Sequence, residues 1–149
     1  MGARLMAVLV AVFMALGGTA VAENWQEPAR ASKTRSDIMN AIRPHAEWML
    51  GAPVEFVVQD LREARGIAFA SLLPQRPGGG VIDPADTPMV RLFGGDPYSM
   101  DGVAMQALLV RSGTVWVALH WEIGATDAWW ADPMLCARFA RVTPRACGF

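Results

Sequence analysis

The stretch from Gly102 to Trp130 reads GVAMQALLVRSGTVWVALHWEIGATDAWW, and it decides the fold. Residues 103–111 and 114–123 are rich in Val, Leu, Ile and Trp, and a turn at Ser112-Gly113 separates them. Two such runs around a Gly-containing turn predict a β-hairpin. We therefore expect an antiparallel pair of strands at the centre of this chain's fold.

The second run of this hairpin alternates, so each of its two faces can be predicted. Successive side chains of a strand point to opposite faces of the sheet. One face is then wholly apolar, and we expect it to pack against a helix around Ile42 and Met49. Its members are Val115, Val117, Leu119, Trp121 and Ile123. The other face is mixed and consists of Trp116, Ala118, His120 and Glu122.

A long helix and an earlier hairpin are predicted upstream. The helix begins near Ser36, a good N-cap residue, and ends at Gly51, with a kink or a restart at Pro44. One side of it is predicted to be apolar, and that side carries Ile38, Ala41, Ile42, His45, Trp48 and Met49. Residues 54–61 and 67–73 are predicted strands joined by a turn at 62–66, and Pro74 is expected to stop the second strand.

Two more segments complete the predicted architecture. Gln75 to Met100 is rich in Gly and Pro and has no period, so it is either a functional loop or a cover between the hairpins. Asp132-Pro133 predicts a short helix through Arg141. The fold class is therefore α+β: a curved antiparallel sheet of about four strands in two hairpins, a preceding long helix packed on one face, and a short C-terminal helix.

The N-terminus has the pattern of a secretory signal. Arg4 precedes an apolar run from Leu5 to Leu16, and Ala20-Val21-Ala22 is a small-x-small site of the kind that signal peptidase cleaves. We predict a cleaved signal peptide over 1–22, a flexible leader over 23–35 and one domain over 36–149, with the mature chain starting at Glu23. An uncleaved anchor is the alternative. After cleavage we expect no stable membrane anchor and a periplasmic or secreted location.

Charge and cysteine content narrow the function classes. Cleavage would remove one of 13 basic residues and none of the 14 acidic ones, and 12 minus 14 gives a net charge of −2. Nucleic-acid binding requires a basic surface, so we expect no nucleic-acid partner. In an exported chain the two cysteines, Cys136 and Cys147, predict one disulfide. Two free thiols are the alternative.

Several motifs resemble a family of small exported bacterial proteins. The shared elements are PVEFVV, LR, AF, PQRPGG, DG, ALL, G-W and IG-TD, and they span roughly Ser36 to Trp130. Members often carry a G-D-W turn where this chain has Ala64-Arg65-Gly66. The resemblance implies export and a single domain, but it does not indicate which reaction, if any, the protein catalyses. The order of elements is similar to the NTF2/SnoaL-like cone or the cystatin-like wrap, an analogy of layout that carries no function.

His120 and Glu122 are the first candidates for chemistry. They are two residues apart on a predicted strand, so they share a face and form either a general base with its carboxylate or two metal ligands. A third ligand would have to be His45, the only other imidazole. An ordinary polar face is the alternative. Asp127 follows the last long strand and is either a turn cap or a catalytic carboxylate.

Tryptophans are the candidates for ligand contact. Trp129 and Trp130 either stack on a ligand at the surface or close the open end of the sheet. We predict that Trp116, His120 and Glu122 line a concavity that the Gln75–Met100 loop closes, with Trp129 at its rim. No nucleophile elbow, P-loop, dinucleotide fingerprint or zinc-protease motif occurs in the sequence, so no cofactor and no metal are predicted.

The predicted function is that of an exported binding or interaction protein. Its partner would be an envelope protein or a small apolar ligand. The alternative is a small-pocket hydrolase or isomerase that uses His120 with Glu122 or Asp127. An enzyme would need His120 within hydrogen-bond reach of a carboxylate in a concave pocket, whereas a binding module needs only an exposed aromatic or apolar patch.

Overall fold

Four antiparallel strands form one open sheet in the computed structural model, which describes residues 24–148. Strands β1 (Glu55–Ala64), β2 (Ile67–Gln75), β3 (Met105–Ser112) and β4 (Val115–Ile123) lie in chain order, each paired with the next. Helix α1 (Lys33–Leu50) precedes the sheet, α2 (Pro88–Arg91) lies between the hairpins, and α3 (Pro133–Phe139) follows. This layout confirms the predicted α+β fold class.

Helix α1 is one continuous element of 18 residues. It begins four residues earlier than predicted, because the Ser32 side chain accepts a hydrogen bond from the Arg35 N–H and caps the helix. Pro44 does not break it. Its side chain lies on the exposed face, where water can bind the carbonyl that proline leaves without a donor. The buried stripe repeats every four residues: Ile38, Ile42, Ala46 and Leu50.

The first hairpin is tighter than the sequence predicted. Its turn consists of Arg65 and Gly66 alone, whose φ angles of 50° and 80° are those of the two-residue turns that suit hairpin twist. Strand β2 also continues past Pro74. Pairing with β3 ends at Leu72, so Pro74 lies where β2 is an edge strand, and an edge tolerates the missing N–H.

A bulge in β4 overturns the predicted faces of this strand. Leu108 pairs with His120 but Leu109 pairs with Ala118, so Leu119 is an extra residue in β4. One extra residue reverses the alternation on one side of it. Trp116 therefore lies on the α1 side of the sheet, only 6% exposed, with Ala118, Trp121 and Ile123. Three residues predicted to be buried are exposed instead: Val115, Val117 and Leu119.

The second face of the sheet has a smaller core of its own. Phe139 of α3 and Val142 after it pack against Phe69 and Leu108 of the central strands. The disulfide between Cys136 and Cys147 joins α3 to the end of the chain, with a Cα–Cα distance of 5.6 Å. The predicted cysteine pairing is thus present in the structure.

The segment before α1 is attached to the sheet, unlike the flexible leader predicted over 23–35. The backbone of Gln26 exchanges two hydrogen bonds with Glu63 of β1, at 2.9 and 2.8 Å. Trp25 packs against the smaller core, and the Arg62 guanidinium lies 5.0 Å from its ring centroid. An antiparallel bridge and an aromatic contact therefore hold this segment on β1. The predicted signal peptide over 1–22 lies outside the described residues.

The Gly- and Pro-rich segment between the hairpins covers the C-terminal end of α1. Its Ile82 and Met89 are buried in the α1-side core. Arg76 donates hydrogen bonds to the carbonyls of Leu50 and Gly51, where a helix end leaves acceptors without partners. The segment therefore packs on the side of the sheet opposite His120 and Glu122. The prediction that it closes a concavity over these two residues is wrong.

Candidate functional site

Two of the predicted site residues on β4, His120 and Glu122, border a shallow groove on the second face. It lies between β4 and the segment that leads into α3, and its volume is about 420 Å³. His120, Glu122 and Trp129 line it, together with Asp132 and Leu135. Asp132 is held as the N-cap of α3, where it accepts a hydrogen bond from the Met134 N–H at 2.8 Å. The groove is open to solvent along the free edge of β4.

His120 and Glu122 share this face, and both side chains are exposed. The His120 ring meets the ring of Phe139 edge-on, with centroids 6.4 Å apart. Within residues 24–148, no hydrogen bond or ion pair joins His120 to Glu122 or Asp127. A histidine that acts as a general base is commonly oriented by a third group, and neither of these two carboxylates makes that contact with the His120 ring.

The other predicted members of the site lie elsewhere. Asp127 is exposed in the loop after β4 and does not line the groove. Trp116 is on the opposite face because of the bulge at Leu119. His45 also lies on the α1 side, where its ring stacks on Trp121 with centroids 5.0 Å apart, so it cannot join His120 as a metal ligand. The structure therefore divides the predicted site between the two faces of the sheet.

The two consecutive tryptophans have different neighbours. They form a short 3-10 turn, Trp129–Ala131, with their ring planes 85° apart. Trp129 lines the groove, whereas Trp130 packs on Phe69, with centroids 5.4 Å apart. Both rings are half-buried against the smaller core. The two rings therefore face different grooves, since Trp130 borders a separate one together with Arg62 and Phe69.

Neither a metal cluster nor a membrane span is found in the described part of the chain. Residues 24–148 contain no group of three or more His, Cys, Asp or Glu side chains positioned to hold a metal ion. Among these residues, no helix has the length and apolar character needed to cross a membrane.

An exposed aromatic patch is the feature that sequence reasoning missed. Trp48 of α1 is 69% exposed and stacks on Phe93, with centroids 5.8 Å apart and planes 21° apart. Phe93 is 50% exposed, and Leu92 beside it is 74% exposed. We call these three residues the aromatic patch. The sequence pattern predicts Trp48 on the apolar side of α1, but the buried stripe of this helix runs through residues 38, 42, 46 and 50 and leaves Trp48 exposed.

No protein-family model, curated protein or solved structure matches this chain. The resemblance to small exported bacterial proteins and the analogy with NTF2-like or cystatin-like layouts therefore stay predictions.

Proposed function

We propose that this protein is an exported binding module that recognises a partner protein of the cell envelope through the aromatic patch. The observation that carries the proposal is the exposure of a stacked Trp48–Phe93 pair with Leu92 beside it. Contiguous apolar surface is disfavoured in water, and contact sites are where folded proteins retain it. Tryptophan is also enriched among the residues that contribute most to interface affinity.

The patch is well placed to bind without reorganising. Trp48 projects from an 18-residue helix whose other side is fully buried. Phe93 follows α2, and its stacking on Trp48 fixes both rings before any partner arrives. A contact surface that is rigid beforehand loses less conformational entropy on binding. The small apolar ligand of the sequence prediction suits these exposed side chains less well, since such ligands are bound in concave pockets.

Export is part of the proposal. The apolar run and the small-x-small site over residues 1–22 support it, and the Cys136–Cys147 disulfide is typical of oxidising compartments. A periplasmic or secreted location follows. The hydrolase or isomerase alternative, with His120 and Glu122 or Asp127, gains no specific support from the exposed positions of these side chains.

Site-specific photo-crosslinking in the source cells tests this function. A photoreactive amino acid replaces Leu92 in the full chain, and the matched control places it at Met134, which is 86% exposed on α3. We expect a discrete adduct of defined mass from position 92 and none from position 134. The adduct should be lost in a Trp48→Ala background whose melting temperature is unchanged.

Two results would overturn the proposal. Equal adducts from positions 92 and 134 would mean nonspecific contact, and no adduct from position 92 would mean that the aromatic patch is not a contact surface. A third position, Leu119 at the groove of β4, identifies the competing site: an adduct from position 119 alone would move the function to the groove.

A further inference from the structure

A second groove, on the other edge of the sheet, lies between α1 and β1. Its volume is about 430 Å³. Three arginines line it, Arg30 before α1 and Arg35 and Arg43 within α1, and we call it the arginine groove. Its apolar wall consists of Met39 of α1 and Phe56, Val57 and Val58 of β1.

The arginine groove carries a net positive charge in a chain that is net acidic. Arg35 forms an ion pair with Glu27 at 3.1 Å, and this carboxylate is 63% exposed. Arg43 donates to the Val54 carbonyl and lies 5.2 Å from the centroid of the Phe56 ring. Within the described residues it forms no ion pair with a carboxylate. Arg30 likewise forms none of the ion pairs found within residues 24–148. Among residues 24–148, no acidic side chain lines the groove.

The wall of the arginine groove is also an open sheet edge. β1 is the outermost strand, and within the described part of the chain the backbone bridge to its edge is that of Gln26 at Glu63. Within the described residues, no backbone hydrogen bond from outside the sheet reaches 56–58. A strand edge with free N–H and C=O groups can pair with an added extended peptide.

The two faces of an added strand would meet different surfaces. Alternate side chains would point toward α1, where Arg35 and Arg43 lie, and the others toward the second face. On the second face Val57 pairs with Leu73, and these side chains are 44% and 40% exposed. Cross-strand neighbours on one face stabilise pairing when both are apolar. The edge therefore matches a strand with acidic residues on one face and apolar residues on the other.

We infer that the arginine groove binds an extended segment of a partner protein in which acidic and β-branched apolar residues alternate, and that the segment adds to β1 as a fifth strand. The acidic side chains contact Arg30, Arg35 and Arg43, and the apolar ones extend the Val57–Leu73 pair. This site is independent of the aromatic patch, so either can fail without the other.

Calorimetric titration with defined peptides tests the inference. The protein is the exported product of the full chain, and the probe is a blocked peptide of about eight residues that alternates Glu and Val. We expect Arg30→Glu to weaken binding about tenfold and Arg30→Gln by less. Arg141→Glu, the same charge change at an exposed position after α3, should leave the affinity within about twofold of wild type. A peptide alternating Lys and Val should not bind.

N-methylated peptides test for strand addition. In an extended peptide all Glu N–H groups point to one side and all Val N–H groups to the other, so only one set can pair with β1. Methylation of one set should abolish binding, and methylation of the other should be tolerated. Equal affinities for both methylated peptides would overturn strand addition. Laurate, which has one carboxylate and an apolar chain but no backbone N–H groups, is a further probe. If laurate binds and the Glu-Val peptide does not, strand addition is overturned and the groove is a site for an anionic amphiphile.

Discussion

Gly124 lies at a position where the backbone conformation and the surrounding atoms leave no room for a side chain. It ends β4 with a φ angle of +69°, and its N–H donates to the Ala104 carbonyl at 2.7 Å. A Cβ atom here would lie 2.5 Å from Met100 Cε and 2.9 Å from the carbonyl oxygen of Gly102. Glycine is therefore required both by the positive φ angle and by the close approach of two chain segments.

A pair of glycine substitutions separates these two requirements. Gly113 in the β3–β4 turn also has a positive φ, +60°, but no atom lies within 4 Å of its added Cβ. We expect Gly113→Ala to lower the free energy of unfolding by about 1 kcal/mol. Gly124→Ala should lower it by about 3 kcal/mol, because a backbone clash adds to the φ cost. Urea denaturation measures both, and equal losses would contradict the close packing of Met100 and Gly102 on this turn.

β4 is the element whose packing depends on a single inserted residue. Before Leu119, the side chains at even positions face α1, and after it those at odd positions do. The strand thereby presents two tryptophans, Trp116 and Trp121, to the same helix. It also leaves two apolar residues of the strand, Val115 and Val117, 60% and 40% exposed.

Alanine substitutions in β4 test this reversal. Trp116 is 6% exposed, so Trp116→Ala should lower the free energy of unfolding by about 3 to 5 kcal/mol. Val117 is 40% exposed, and Val117→Ala should cost less than about 1 kcal/mol. Uninterrupted alternation predicts the opposite order. If Val117→Ala proves the more destabilising in chemical denaturation, the bulge at Leu119 is wrong.

The whole molecule consists of one sheet with a core on each face. α1 and the segment between the hairpins cover the larger core, and α3 with the C-terminal tail covers the smaller one. α3 has only seven residues, too few to be stable without tertiary contacts. The disulfide and the buried Phe139 hold α3 against Phe69 and Leu108.

Removal of the disulfide should therefore destabilise the protein without changing its layout. Cross-linking residues 11 apart restricts the unfolded chain, so the Cys136→Ala/Cys147→Ala variant should lose about 2 to 3 kcal/mol in the free energy of unfolding. Far-ultraviolet circular dichroism should stay close to that of the wild type, because α1 and the sheet are retained. Thiol counting on the denatured, unreduced exported protein should find no free thiol. Two free thiols per chain would contradict the disulfide.

Sequence patterns alone determined the order of elements, since each has a local cause. The turn residues Ser112-Gly113 separate β3 from β4, and the helical spacing of apolar residues from Ile38 to Met49 predicts α1. Of the residues that this spacing assigned to the apolar side, Ile38 and Ile42 belong to the buried stripe. Cys136 can pair only with Cys147 within the chain, because the sequence contains two cysteines. These features depend on backbone propensities and side-chain spacing that are read within a few residues.

Tertiary structure decided which side chains meet, because that depends on registers between segments distant in the chain. The extra residue at Leu119 exists only relative to the pairing partners Leu108 and Leu109, so no pattern within β4 reveals it. It places His120 and Trp116 on opposite faces and divides the site that the sequence predicted. The stacking of Trp48 on Phe93, 45 residues later in the sequence, likewise depends on where the loop after β2 packs on α1.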